Sequence, residues 1–120
     1  MTYIPNKEAF AEKKQLAQAE LTNSPVSYYS PAANIETSID SIIITNTTNV
    51  DRWFILWVDD NGTTYNDTTV LYFEVEVPRN TSMELDKKIY MNDSTGNLAM
   101  EAEINSALTA TIFGIEYDLS

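Results

Sequence analysis

Residues 42–58 read IIITNTTNVDRWFILWV. Three isoleucines run into a Thr/Asn block, and an unbroken apolar run, 53–58, follows. A strand buried on one side only alternates apolar and polar residues. This run does not, so both of its faces need cover. Trp53, Ile55 and Trp57 fall on one face, and Phe54, Leu56 and Val58 on the other. One set fills a core. The other is covered by a neighbouring loop, by the N-terminal segment or by another subunit. An open patch of this kind would bury on the order of a few hundred Å² on association, the range of an interaction site. The plain alternative is a central strand covered on both sides by its own chain.

Around this run the pattern is one of strands between turns. Upstream, AFAEKKQLAQAEL at 9–21 has the composition of a helix, yet 17–21 alternates with period two and meets the turn signal TNSP. We read 15–21 as a strand paired with 26–30, with a helix as the alternative. ETSIDSIIITN at 36–46 is a long strand whose apolar phase shifts: Ile35, Ile39 and Ile43 share one face, Ile42 and Ile44 the other. That implies a bulge near Ser41 or two buried faces.

Downstream, Asn61-Gly62 is a hairpin signal. In VLYFEVEV, 70–77, Leu71, Phe73, Val75 and Val77 alternate with Tyr72, Glu74 and Glu76, predicting burial of the first set. SMELDKKIYM, 82–91, puts Met83, Leu85, Ile89 and Met91 together. LAMEAEI, 98–104, turns Leu98, Met100, Ala102 and Ile104 inward, and a last strand spans 108–118. The expected fold is all-β: an eight-stranded antiparallel sandwich, with a jelly roll as one arrangement of it. It would form one domain over 14–120, behind a short N-terminal arm, 1–13.

Eighteen acidic and seven basic residues give a net charge of −11, none of it in residues 1–20, where Lys7, Lys13 and Lys14 balance Glu8, Glu12 and Glu20. An acidic body argues against a nucleic-acid partner. No window approaches the roughly 20 apolar residues of a membrane span, and no apolar signal segment opens the sequence, so folding in a reducing cytosol is expected. With no Cys and no His, a disulfide framework, a Cys/His zinc site, a Cys nucleophile and a His base are excluded. No cofactor is expected. Five Asn-X-Ser/Thr sequons, at Asn46, Asn61, Asn66, Asn80 and Asn92, read as turn chemistry rather than glycan sites. Asp59, Asp60, Asn61 and Asp67 could suggest Ca²⁺, but their spacing is not that of an EF-hand loop and a turn explains them equally well. Glu74/Glu76 and Glu101/Glu103 sit at i, i+2 on solvent faces, without the pocket that raises a catalytic acid's pKa. An enzyme is not expected.

The order of YYSP at 28–31, IIITNT at 42–47, PRNT at 78–81 and TIFGIEY at 111–117 resembles the small all-β virion proteins of tailed bacteriophages, over roughly residues 14–118. The resemblance implies a non-enzymatic structural protein of the virion: a capsid decoration or cement subunit, or a tail or neck accessory. It implies the major capsid protein or another virion protein as partner, and a homotrimer or other homo-oligomer. There are no catalytic residues to carry over. Where such proteins use glycines in the first proline corner, this chain has Ala32-Ala33-Asn34, which leaves that loop's conformation open. Tyr3, Ile4 and Phe10 of the arm, with Trp53, Ile55 and Trp57, are the candidate interface. Deleting residues 2–13 should then weaken particle association and spare the fold. A carbohydrate- or receptor-binding module of a tail, stacking sugars on Tyr65, Tyr72, Trp53 or Trp57, is the alternative.

Overall fold

The computed structural model describes residues 11–119. Every regular element among them is a strand: β1 (Ala11–Glu20), β2 (Val26–Tyr29), β3 (Ile35–Asn46), β4 (Arg52–Asp59), β5 (Val70–Val77), β6 (Thr81–Leu85), β7 (Ile89–Met91), β8 (Asn97–Ala102) and β9 (Leu108–Asp118). They form two antiparallel sheets. Sheet A runs β1-β9-β3-β6, with β7 also on β3, and sheet B runs β2-β8-β4-β5. The inner faces meet in one core that includes Ile39, Ile42, Ile44, Phe54, Leu56, Leu98, Met100, Leu108 and Ile112. The sandwich is therefore as expected. The count is nine because 86–88 breaks the run 82–91 in two, although Met83, Leu85, Ile89 and Met91 all pack on the core.

Several local readings are corrected. Residues 9–21 hold a strand that begins at Ala11, so 11–13 belong to the sheet, while residues 1–10 of the expected arm lie outside the described residues. That strand pairs with β9 and not with 26–30, which sits in the opposite sheet. Alternation shows that a segment is a strand but not which neighbour it takes. Asn61-Gly62 makes no two-residue hairpin, since β4 ends at Asp59 and β5 begins at Val70. Ile104 lies past the end of β8 and is exposed.

The shifted phase of β3 is a bulge at Asp40: the pairing steps from Ile39 opposite Gly114 to Ser41 opposite Phe113. One extra residue restores the phase, so Ile39, Ile42 and Ile44 all face the core. On the other side of β9, β1 slips one residue further along, between Gln15 opposite Phe113 and Ala17 opposite Ile112. Gly114 sits beside the β3 bulge, opposite Ile39 on one side and Lys14 on the other. A Cβ there would collide with the Ser38 carbonyl oxygen and come within 2.9 Å of Leu16 Cδ1.

A polar strut crosses the core. The Tyr29 hydroxyl, on sheet B, donates to Glu116 Oε2 at 2.5 Å and shares a 2.6 Å bond with Thr37, both on sheet A. Glu116 in turn holds Lys14 Nζ at 2.7 Å. Burial pushes the Tyr29 pKa far up, and its hydrogen bond to Glu116 adds to the rise. Burial alone would raise Glu116, but hydrogen bonds from Lys14 and Tyr29 outweigh it and hold its carboxyl below the ordinary value. The open proline corner closes without glycine, because Asn34 itself takes φ 64°.

Candidate interaction surface

The doubly apolar strand β4 is central in sheet B, between β8 and β5. Phe54 and Leu56 enter the main core. On the outer face Ile55 and Trp57 join Ala99 in a second cluster, flanked by Trp53, Tyr65 and Val70. The cover is the chain's own loop 60–69. Tyr65 lies on Trp57, ring centroids 5.9 Å apart and tilted by 38°.

Side chains build that loop. Asp59 accepts the Asn61 N–H at 3.2 Å and the Thr64 N–H at 2.9 Å, and these bonds hold its carboxyl below the ordinary range. Asn66 accepts from both the N–H and the hydroxyl of Thr68. Of the expected interface residues, Ile55 and Trp57 keep 6% and 7% exposure and Trp53 is half-buried, while Tyr3, Ile4 and Phe10 lie outside the described residues. Trp57 and Tyr72 are no open stacking platforms, since Tyr72 turns inward, 6.3 Å from Phe54.

Among the described residues, two exposed large apolar side chains lie on β5, at the edge of sheet B. Its alternation predicted Leu71, Phe73, Val75 and Val77 inward; Val75 and Val77 do face the core, but Leu71 and Phe73 are 52% and 62% exposed and Tyr72 turns inward in their stead. Two bulges cause this. Phe54 is opposite Val75, Leu56 opposite Tyr72 and Trp57 opposite Val70, so Phe73 and Glu74 share the place facing Ile55 and Leu71 is extra. Glu74 adopts φ 48°, which an L residue rarely takes inside a strand. Across Ile55, on β8, stands Glu101. Burial, and then the charge of Glu74, push the Glu101 carboxyl above its ordinary value. Period-two reading placed Glu74 and Glu101 on separate strands and missed their approach, because it carries no strand order.

A groove of about 560 Å³ opens where β3, β7 and β9 meet, lined by Glu36, Ser38, Asp40, Lys88, Tyr90 and Tyr117 among others. Lys88 reaches Asp40 at 3.1 Å, and Tyr90 is 69% exposed. The sequon asparagine Asn46 is buried and fully used: its amide nitrogen donates to the Val50 and Val77 carbonyls, and its oxygen accepts from Thr48. No family model, curated protein or solved structure matches the chain.

Proposed function

We propose that this chain is a non-enzymatic structural protein of a tailed-bacteriophage virion, a capsid decoration or cement subunit that binds the assembled shell. Its partners would be the major capsid protein or other virion proteins, and it would act as a homotrimer or other homo-oligomer. The observation that carries the reading is the nested strand order. The first strand pairs with the last, the second with the eighth, the third with the sixth and seventh, and the fourth with the fifth. We take this order as that of a jelly roll, an arrangement common in viral capsid domains. The order and texture of residues 14–118 support the same reading. Fold alone does not assign function, so the test is localisation. Immunogold microscopy on phage particles, with antibody to the purified chain, should place gold over the shell. Gold on the tail or neck would move the chain to an accessory role, and no gold on any particle would end the virion reading.

Arm and body can be tested separately. Because 11–13 are strand, the truncation to make stops at residue 10 and removes residues 2–10. It should weaken particle association and leave the far-ultraviolet spectrum unchanged. A second reading, a glycan-binding module of a tail, draws its support from the groove, where the open Tyr90 ring stands among carboxylates. Tyr90→Ala would then abolish retention on host polysaccharide.

A further inference from the structure

We propose that β5, with the outer face of sheet B beside it, docks an arginine-bearing loop of another protein, the guanidinium lying on Phe73 between Glu74 and Glu101. The inference rests on the reading of the chain as a binding subunit and specifies the chemistry of what it binds. Leu71 and Phe73 are the two most open large aliphatic or phenyl side chains among the described residues. They stand on an edge strand with carboxylates beside them. The ion pairs of the described residues use Lys14, Arg52 and Lys88, which go to Glu116, Glu103 and Asp40. Glu74 and Glu101 instead face each other across Ile55 and repel. A cation placed there turns a repulsion into two attractions.

The surroundings select the occupant. A second copy brings another −11 of charge to an already acidic surface. Nucleic acid has the wrong sign. Strand addition is hindered, because the bulges divide β5 and bend its edge. Recognition then falls to side chains. Arginine suits the place better than lysine: its planar head stacks on a ring and its forked donors serve two carboxylates at once. Two side chains are far short of the roughly 800 Å² per partner of a stable interface, so this spot is an anchor within a larger contact.

The test is a nuclear magnetic resonance titration of the full ¹⁵N-labelled chain with a synthetic peptide, acetyl-GVRVRVG-amide. Amides of 70–77 and 99–103 should shift saturably, less with lysine in place of arginine, and not at all with glutamate. Phe73→Ser, and separately Glu74→Gln with Glu101→Gln, should each weaken binding about tenfold or more. The glutamine pair keeps the shape, so its loss reads charge alone. Shifts confined to other strands, or equal binding of the glutamate peptide, would overturn the proposal. Sedimentation of Phe73→Ser should match the parent chain; a lost oligomer would mean that a second copy fills the site, which also overturns it. A chain that labels particles but ignores the peptide fails here alone. One that binds the peptide but labels no particle fails the virion reading alone.

Discussion

Of the three glycines, Gly114 leaves a side chain the least room. Its hydrogen lies against the backbone of β3 and the Leu16 side chain of β1. Gly114→Ala puts a methyl group against a carbonyl oxygen that cannot swing aside, so we expect a loss of about 1–3 kcal/mol, the cost of overpacking, visible in a urea melt. The strut through Tyr29, Glu116 and Lys14 makes a second prediction. Glu116 is depressed below its ordinary value of 4.5. It therefore contributes stability above that pH and loses it as pH falls through its lower folded value. Lys14 is raised above 10.5 by its hydrogen bond to Glu116, so its share is present below that pH and fades as pH rises through the higher folded value. The contribution is full between about pH 4.5 and 10.5. Melting Glu116→Gln across pH should show a deficit at pH 7 that narrows in acid; a constant deficit would deny the linkage. The residue types of the strut were visible in the sequence. Their meeting was not, since Tyr29 and Glu116 are 87 positions apart.

At the scale of elements, β4 and β5 differ in how far their patterns could be read. The double-sided burial of β4 follows from composition alone, because six apolar side chains in a row leave neither face polar. What covers the second face depends on the length and shape of loop 60–69. Tyr65→Ala should uncover Trp57, giving a red-shifted tryptophan emission and a loss of about 0.5–1.5 kcal/mol for the ring pair. Unchanged emission would mean that the loop covers Trp57 without Tyr65. For β5 the alternation held for Val75 and Val77 and failed before them, at Phe73 and Leu71. Each inserted residue flips the faces beyond it, and the inserted residues, Leu71 and one of Phe73 or Glu74, are neither glycine nor asparagine. No turn chemistry marked them. For β3 the broken isoleucine rhythm did mark the bulge, since an apolar face cannot switch sides without one.

For the whole molecule, the net charge of −11 works against the compact state. The screening length falls from about 30 Å at 0.01 M salt to about 8 Å at 0.15 M, and exposed ion pairs such as that of Lys88 with Asp40 are worth little. The melting temperature should therefore rise between those salt concentrations; a fall would mean that ion pairs outweigh the repulsion. The strand content, most strand positions and the zero net charge of the first twenty residues were determined by the sequence itself, because period, turn residues and charge are local properties. The partner of each strand, the loop that covers Trp57 and the approach of Glu74 to Glu101 were decided only by the tertiary structure. Pairing joins residues far apart in the chain, and many strand orders satisfy the same alternation. The one found here brings together the two apolar faces that the alternation requires to be buried.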